Sequence, residues 1–289
     1  RIDLKQNAGR ELFLRLVDTA DVLVEGFRPG VMDKLGLGYA QLAARNPRLV
    51  YCSISGYGQD GPYAQRAGHD INYIGYAGVL DQIGSAGGPP AIPNLQIGDL
   101  LGGTLSALLG LLVAVIDARA SGQGRHVDVA MTDAALAHAI FPLCEVLAHG
   151  AVKPRGEDLL DGGVPCYGVY ETADGRHISI GALEPKFYEM LLEKLGLTGP
   201  IWQDQMNEAN WPALKQTLAA IFRQRDQAHW TAVFEGTDIC YAPVLSMSEF
   251  EEHPHNLARG TTVRVDGMLQ GAPAPRFSLH VACLLHQGP

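Results

Sequence analysis

Residues 21–30 read DVLVEGFRPG, and residues 49–58 read LVYCSISGYG. Each stretch begins with a short apolar run that predicts a buried β-strand, and a glycine-bearing loop follows at once. Residues 31–46 have helical periodicity and end at Pro47, so we predict one helix between the strands. Strands joined by a helix of this length indicate a parallel α/β sheet. Ligands of such sheets bind at the carboxyl ends of the strands, where both loops lie.

The composition excludes several classes of protein. Of the 289 residues, 47% are hydrophobic and 18% are charged, which excludes a disordered chain. The formal net charge is −9, with 22 basic residues against 31 acidic ones, which argues against a nucleic-acid partner. Residues 1–70 hold nine basic and eight acidic side chains. We therefore expect an anionic ligand to bind within this first quarter of the chain.

The cysteines and histidines indicate neither disulfides nor a metal site. Five cysteines, an odd number without C-x-x-C spacing, favour a reducing compartment. His253 and His255 lack a third ligand nearby in the sequence, so we predict no metal site. We expect a cytoplasmic protein, with peroxisomal and mitochondrial locations left open. Since the chain begins at Arg1, we also expect it to be a fragment of a longer protein.

The pattern along the chain divides it into four parts. We expect a large α/β domain over residues 1–148 and a linker over residues 149–164. A smaller α+β domain should follow over residues 165–243, and a segment returning toward the large domain over residues 244–289. The smaller domain is predicted from a hairpin that turns at Asp174-Gly175 and from helices that begin at Pro185, Trp211 and Gln227.

Residues 100–116 contain no charged side chain. This segment approaches the length of a membrane span, but small and polar residues interrupt it, and Asp99 and Asp117 flank it. We predict a fully buried core helix and no membrane partner. Residues 125–131 then predict a strand, with Thr132-Asp133 capping the helix that follows.

Three positions carry side chains suited to acid–base chemistry. His69 stands in the run GHDINY at 68–73, Asp99 follows Gly98, and Glu184 precedes Pro185. Each also has a purely structural interpretation. His69 would then be a hydrogen-bonded loop histidine, Asp99 an N-cap worth about 1 kcal/mol, and Glu184 a carboxylate at a helix N-terminus. The residues alone leave both interpretations open.

Five segments occur in one order: EGFRPG at 25–30, GHDINY at 68–73, GD at 98–99, GRHVDVAM at 124–131 and EPKFY at 184–188. Together they resemble the class III CoA-transferase superfamily and, more narrowly, its α-methylacyl-CoA racemase branch. The resemblance extends to APRFS at 274–278. It implies a Rossmann-like large domain that binds CoA, a small domain, and an interlocked homodimer. It also implies further residues before the part that matches Arg1.

The resemblance assigns roles to the matching residues. The acid–base pair falls on His69 and Asp99, and the glutamate that orients the histidine falls on Glu184. Because Glu184 belongs to the smaller domain, we expect a site assembled between domains. Contacts with CoA fall on Gly26, Phe27, Arg28, Lys34, Gly68, Asp70, Ile71, Asn72 and Tyr73. No metal or redox cofactor is implied, since CoA is part of the thioester substrate.

These roles suit a racemase or epimerase of 2-methyl-branched acyl-CoA thioesters in lipid metabolism. A base on one face of the α-carbon and an acid on the other transfer a proton through an enolate. Free N–H groups at the start of the helix at Leu100 would stabilise the enolate oxygen.

Two alternatives remain beside the racemase. In the transferases of the superfamily, the residue at Asp99 is a nucleophile that forms an aspartyl-CoA anhydride. Those enzymes usually lack the histidine, and many carry a glycine-rich loop where this chain has residues 182–185, so we prefer the racemase. The other alternative is a non-catalytic CoA-binding fragment.

Overall fold

The computed structural model describes residues 1–278. The chain divides into two compact units, Arg1–Gly163 and Val164–Pro289. The last residues of the predicted return segment, 279–289, lie outside the described part.

Unit 1, Arg1–Gly163, is built on a parallel sheet of order β1-β2-β3. Its strands are β1 (Val22–Glu25), β2 (Val50–Ser55) and β3 (His126–Ala130). The central strand β2 pairs with both neighbours and is almost wholly buried, as is typical of a strand covered on both faces. The predicted mixed α/β class with a parallel sheet is confirmed.

Helices cover both faces of this sheet. They are α1 (Asn7–Val17), α2 (Val31–Lys34), α3 (Tyr39–Arg45), α4 (Asp70–Tyr76), α5 (Ser106–Ser121), α6 (Met131–His138) and α7 (Ile140–His149), with a 3₁₀ turn at Leu80–Gln82. On one face, α1 to α3 pack around Leu42 and Tyr51. On the other face, α5 packs its alanines against Val50 and Cys52.

The single helix predicted between β1 and β2 is wrong. The structure has two short helices, α2 and α3, because the chain reverses between them at Gly36, whose φ is +73°. A side chain at Gly38 would place its Cβ only 1.8 Å from Asp33 Oδ1. The helical periodicity of the sequence continues across Gly36 and Gly38, so periodicity alone does not reveal the break between α2 and α3.

The fully buried helix predicted at 100–116 is also wrong. Residues Ile97–Leu105 form a π-helical stretch, here called the π segment, which continues directly into α5. Only one side of α5 meets the sheet, and Leu112, Val113 and Ile116 are 54%, 68% and 69% exposed. From Ile97 to Ser121 the helix is 25 residues long and apolar enough to cross a membrane by length and composition.

The predicted cap of the next helix is wrong as well. Helix α6 begins at Met131, with Ala130 as its N-cap. Thr132 lies inside the helix, and its hydroxyl donates to the Gly56 carbonyl at 2.9 Å. This bond ties α6 to the loop that leaves β2.

Unit 2, from Val164, contains an antiparallel sheet of order β4-β5-β6. Its strands are β4 (Tyr167–Glu171), β5 (His177–Gly181) and β6 (Tyr241–Pro243), and its longer helices are α8 (Pro185–Leu195), α9 (Trp211–Phe222) and α10 (Gln227–Phe234). The predicted hairpin and three helices are therefore present. Short 3₁₀ turns occur at Pro200–Trp202, Glu208–Asn210 and Phe250–Glu252, followed by α11 (Pro254–Arg259) and the hairpin β7 (Thr262–Val265) and β8 (Met268–Gly271).

An aromatic cluster forms the core of unit 2. The ring of Phe222 lies 5.1 Å from those of Tyr170 and Trp230, measured between centroids. The indole N–H of Trp230 donates to the Phe222 carbonyl at 2.8 Å, so its polar atom is satisfied inside the core. The cluster joins β4 to α9 and α10. Helix α8 begins at Pro185, shortly after β5 ends at Gly181.

Candidate active site

His69 is the N-cap of α4, at the end of the loop that leaves β2. Its backbone is extended, with φ −131° and ψ 175°. Its N–H donates to Asn72 Oδ1 at 3.0 Å, and its carbonyl accepts from the N–H groups of Asn72 and Tyr73. These bonds hold the main chain while the side chain stays exposed. The imidazole is therefore presented to solvent from a fixed backbone.

Tyr73 holds the peptide that precedes His69. Its hydroxyl donates to the Gly68 carbonyl. Gly68 must lack a side chain, because a Cβ there would lie 2.7 Å from the Tyr73 ring and 2.8 Å from the Tyr57 hydroxyl. Burial raises the pKa of Tyr73, so this hydroxyl keeps its proton and remains a donor.

Asp99 is the third residue of the π segment, and its side chain is exposed. The N-cap of this segment is Gln96, so the interpretation of Asp99 as an N-cap is wrong. The segment packs closely on the start of α6, since a Cβ at Gly102 would lie 2.7 Å from the Met131 carbonyl oxygen. Gly102 thus allows the π segment to lie close to α6.

One hydrogen bond joins the backbone of Asp99 to the residue that follows His69. The Asp99 N–H donates to Asp70 Oδ1 at 2.9 Å. Asp70 is only 7% exposed, and a Cβ at Gly98 would lie 3.0 Å from the same oxygen. The structure therefore brings the predicted residues His69 and Asp99 to one corner of unit 1.

The surroundings of Asp99 favour its protonated form. Partial shielding from water is the main cause that raises the pKa of Asp99, and the negative charge of Asp70 raises it further. The charge of His69 acts in the opposite direction. Asp99 thus keeps its proton to a higher pH than an ordinary aspartate. A carboxyl of this kind can serve as an acid as well as a base.

The N–H groups predicted to stabilise an enolate at Leu100 already have partners. The N–H of Asp99 donates to Asp70, and the N–H of Leu100 donates to the Gln96 carbonyl at 2.9 Å. That prediction is wrong for these two groups. The first turn of any helix leaves N–H groups without intrahelical acceptors, and in α4 this turn begins at Asp70, beside His69.

The loop after β1 carries three of the predicted CoA contacts. Glu25 accepts the N–H of Phe27 at 2.7 Å, and the Phe27 ring is 48% exposed. Arg28 and Lys34 are also exposed. The loop and the end of α2 thus offer an aromatic ring and two cations to solvent.

A cavity of about 540 Å³ opens beside this loop. Of the predicted contacts it includes Arg28, and its wall also contains Tyr39, Ser53 and His126. The His126 ring stacks on Tyr39 at 5.0 Å between centroids, and its Nε2 lies 3.0 Å from Ser53 Oγ. Sequence analysis missed this group because Ser53 and His126 are 73 residues apart, and only the pairing of β2 with β3 brings them together.

Glu184 lies in unit 2, where it is the N-cap of α8 and is followed by Pro185 in the first turn. Its side chain is exposed, and its carbonyl accepts from the N–H groups of Phe187 and Tyr188, each at 3.0 Å. The predicted helix start is therefore confirmed. Glu184 also lies close enough to Cys240 for its charge to raise the pKa of that thiol, although burial is the larger cause.

Gln205 holds the chain just before Glu184. Its amide Nε2 donates to the carbonyls of Ala182 and Leu183, each at 3.0 Å. The indole N–H of Trp211 in turn donates to the Gln205 carbonyl at 3.0 Å. No motif in the sequence identifies this role, because it depends on how the turns before α9 pack against the end of β5.

The fold and the site together define an α/β protein in which an imidazole and a carboxyl of raised pKa share one solvent-accessible corner. The sequence matches CoA-transferase family III over residues 1–283. The chain belongs to this family, as the resemblance predicted.

Individual relatives include isomerases and transferases. The chain is 40% identical over 277 residues to alpha-methylacyl-CoA racemase of Homo sapiens, covering 95% of this chain and 72% of the relative. It is 32% identical over 279 residues to acetyl-CoA:oxalate CoA-transferase of Acetobacter aceti, with coverages of 94% and 71%. A solved structure of a CAIB/BAIF family protein from Brucella suis is similar with a TM-score of 0.82 at 29% identity, covering 96% of this chain and 74% of that one.

Proposed function

We propose that the protein is a racemase or epimerase that interconverts (R)- and (S)-2-methyl-branched acyl-CoA thioesters. The observation that carries this proposal is the corner formed by His69 and Asp99, two exposed acid–base groups linked through Asp70. The similarity to a racemase over 95% of the chain supports it.

The proposed chemistry is a 1,1-proton transfer at the α-carbon of the thioester. One residue of the pair removes the α-proton, and the C–H electron pair moves into an enolate. The other residue, protonated beforehand, returns a proton to the opposite face, so atoms and charges balance in both directions. Because the two directions need opposite proton arrangements, the pair works with one proton shared between imidazole and carboxyl. The raised pKa of Asp99 supports its acid role.

The enolate oxygen needs hydrogen-bond donors while it carries charge. We assign this task to the N–H groups of Asp70 and Ile71 at the start of α4, because those of Asn72 and Tyr73 donate to the His69 carbonyl. The N–H groups of the π segment at Asp99 and Leu100 are already bonded. A donor next to one base would stabilise the enolate in either direction of the reaction.

The other roles implied by the family resemblance complete the proposal. Unit 1 acts as a Rossmann-like CoA-binding domain, with CoA contacts at Gly26, Phe27, Arg28, Lys34 and residues 68–73. The exposed cations and the Phe27 ring support this assignment. Since the Asp70 side chain is buried, its contact with CoA would be made by the backbone. Glu184 is assigned the task of orienting the imidazole of His69.

We also propose a homodimer. The outer sides of α5 and α7 expose a run of large apolar side chains, including Leu112, Val113, Ile116, Phe141 and Leu147. Large apolar side chains exposed in this number support an interaction site. Four free cysteines among residues 1–278 support a reducing compartment, and we propose the cytoplasm.

The paired substitution Val113→Asp and Ile116→Asp tests the dimer. It should convert the protein to a monomer in analytical ultracentrifugation without detergent. Val24→Asp, at a position 52% exposed on β1, is the matched control and should leave the mass unchanged. A wild-type protein that is monomeric at every concentration would contradict the proposed homodimer.

A CoA-transferase is the second candidate, because an exposed carboxylate at Asp99 can also act as a nucleophile. In that reaction the carboxylate attacks the thioester carbonyl and forms an acyl-aspartyl anhydride while CoA leaves. CoA thiolate then attacks the aspartyl carbonyl to give an aspartyl-CoA thioester and releases the acid. Trapping an Asp99 adduct with hydroxylamine in the presence of an acyl-CoA donor, together with turnover once a free-acid acceptor is added, would favour this candidate.

The deciding experiment is α-proton exchange, followed by NMR in D₂O without an acceptor acid. A racemase incorporates deuterium at the α-carbon from both epimers. A folded protein without exchange is a transferase or a non-catalytic CoA-binding protein, and turnover with acceptor acids separates these two.

A further inference from the structure

Asp70 is the only acidic residue that is buried within the described part of the chain. A buried carboxylate is costly unless hydrogen bonds or charges compensate it. One of its oxygens accepts the N–H of Asp99 at 2.9 Å. A negative charge therefore lies against the backbone of Asp99, a residue of the candidate active site.

The local sequence allows this approach. Asp70 is the first residue of α4, and its neighbour His69 is the N-cap. On the other side Gly98 leaves room, since a Cβ there would lie 3.0 Å from Asp70 Oδ1 and 3.4 Å from Tyr73 Cβ. Asp70 therefore connects the two halves of the acid–base pair through one covalent bond and one hydrogen bond.

We propose that Asp70 is a positioning residue for Asp99, one that fixes the first turn of the π segment and uses its negative charge to keep the Asp99 carboxyl ready to donate a proton. This inference rests on the proposed racemase function. Because the Asp70 side chain is buried, it acts through Asp99 rather than on the substrate.

The charges around Asp99 support this role. Asp70 raises the pKa of Asp99, and His69 lowers it. Burial raises the pKa of Tyr73, also on α4, and the charges of Asp99 and Asp70 raise it further. The other elements packed against the π segment are β3, α5 and α6. Their ionisable groups are not among the causes of the raised pKa of Asp99; they are His126 and Asp128 on β3, Asp117 and Arg119 on α5, and Asp133 and His138 on α6.

Asp70→Asn in the full chain separates charge from geometry. The amide oxygen can still accept the Asp99 N–H, but the charge is gone. Without the negative charge, the pKa of Asp99 should fall. The acid limb of the kcat profile should therefore move to lower pH, with a loss of kcat of about tenfold and little change in KM.

Asp70→Ala also removes the acceptor and should cost about 100-fold in kcat. Asp133→Asn is the matched control, because it removes an exposed charge from α6 and should leave the pH profile of kcat unchanged. Thermal unfolding identifies any variant that does not fold, and Asp70→Asn decides the question if Asp70→Ala fails to fold.

A second readout does not depend on activity. The ¹³C-carboxyl signal of Asp99, assigned by its absence in Asp99→Asn, should titrate at lower pH in Asp70→Asn than in the wild type. An unchanged midpoint would overturn the inference. The absence of α-proton exchange in the wild type would overturn the racemase proposal instead, so the two failures are distinguishable.

Discussion

Asp99 in unit 1 and Glu184 in unit 2 are both exposed carboxylates in the first turn or cap of a helical segment, but they are held differently. The backbone of Asp99 is bound by the buried charge of Asp70. The chain before Glu184 is bound by the neutral amide of Gln205. A buried charge changes both the position and the proton affinity of its neighbour, whereas a neutral amide mainly fixes position. The comparison indicates that Asp70 affects both the position and the pKa of Asp99, whereas Gln205 mainly fixes the position of the chain before Glu184.

The largest effect is expected from Asp99→Asn. If Asp99 is one of the two proton-transfer groups, racemisation should fall by about 10³-fold or more. Polarimetry or chiral chromatography of the hydrolysed product measures this loss. Asp133→Asn should keep wild-type activity, and an Asp99→Asn variant that racemises within tenfold of wild type would contradict the assignment.

Glu184→Gln should have a smaller effect, because Glu184 is proposed to orient a catalytic group. We expect a loss of kcat of about 10- to 100-fold, with KM nearly unchanged. Steady-state kinetics checks both values, and Glu189→Gln, an exposed change on the same helix α8, is the control. Equal losses in both variants would show that a negative charge on α8, rather than Glu184 itself, matters.

Gln205→Ala should disturb the position of the chain before Glu184 without changing the proton affinity of Asp99. Two carbonyl oxygens lose their donor, which should lower the free energy of unfolding by about 1–3 kcal/mol. We expect kcat to fall by less than tenfold, and the acid limb of the pH profile should not move, in contrast to Asp70→Asn. Urea denaturation and kinetics test this, with Gln203→Ala as control. A shift of the acid limb in Gln205→Ala would contradict the contrast between Asp70 and Gln205.

The smallest effect is expected from Tyr73→Phe. It removes the hydroxyl that donates to the Gly68 carbonyl and leaves the ring in place. The net cost should be about 1 kcal/mol of unfolding free energy, with a two- to fivefold loss of kcat. Tyr76→Phe, whose ring is 56% exposed, should change neither quantity.

The sequence predicts the elements best where one local signal defines them. Strands β1 and β2 are apolar runs followed by glycine-bearing loops, and α8 begins at Pro185 as expected. The break between α2 and α3 was missed because a left-handed turn at Gly36 leaves the apolar period intact. Exposure of α5 was missed because hydropathy does not reveal which side a helix leaves uncovered.

The sequence indicates the candidate side chains but not the contacts that hold them. His69, Asp99 and Glu184 are exposed near helix starts, and the first two share one corner of unit 1. The role of Asp70 could not be predicted, because its burial depends on the close approach of Gly98 to α4. The role of Gln205 depends on tertiary packing in the same way, since its acceptors lie 22 and 23 residues away in the sequence.

The most direct test of two-base proton transfer compares His69→Ala and Asp99→Asn in D₂O, with each epimer of a 2-methylacyl-CoA supplied separately. In each variant one base remains and faces only one side of the α-carbon. The account predicts that both variants lose racemisation, while each still exchanges the α-proton of one epimer, and that the two variants exchange opposite epimers. Exchange of both epimers by either variant, or of the same epimer by both variants, would contradict it.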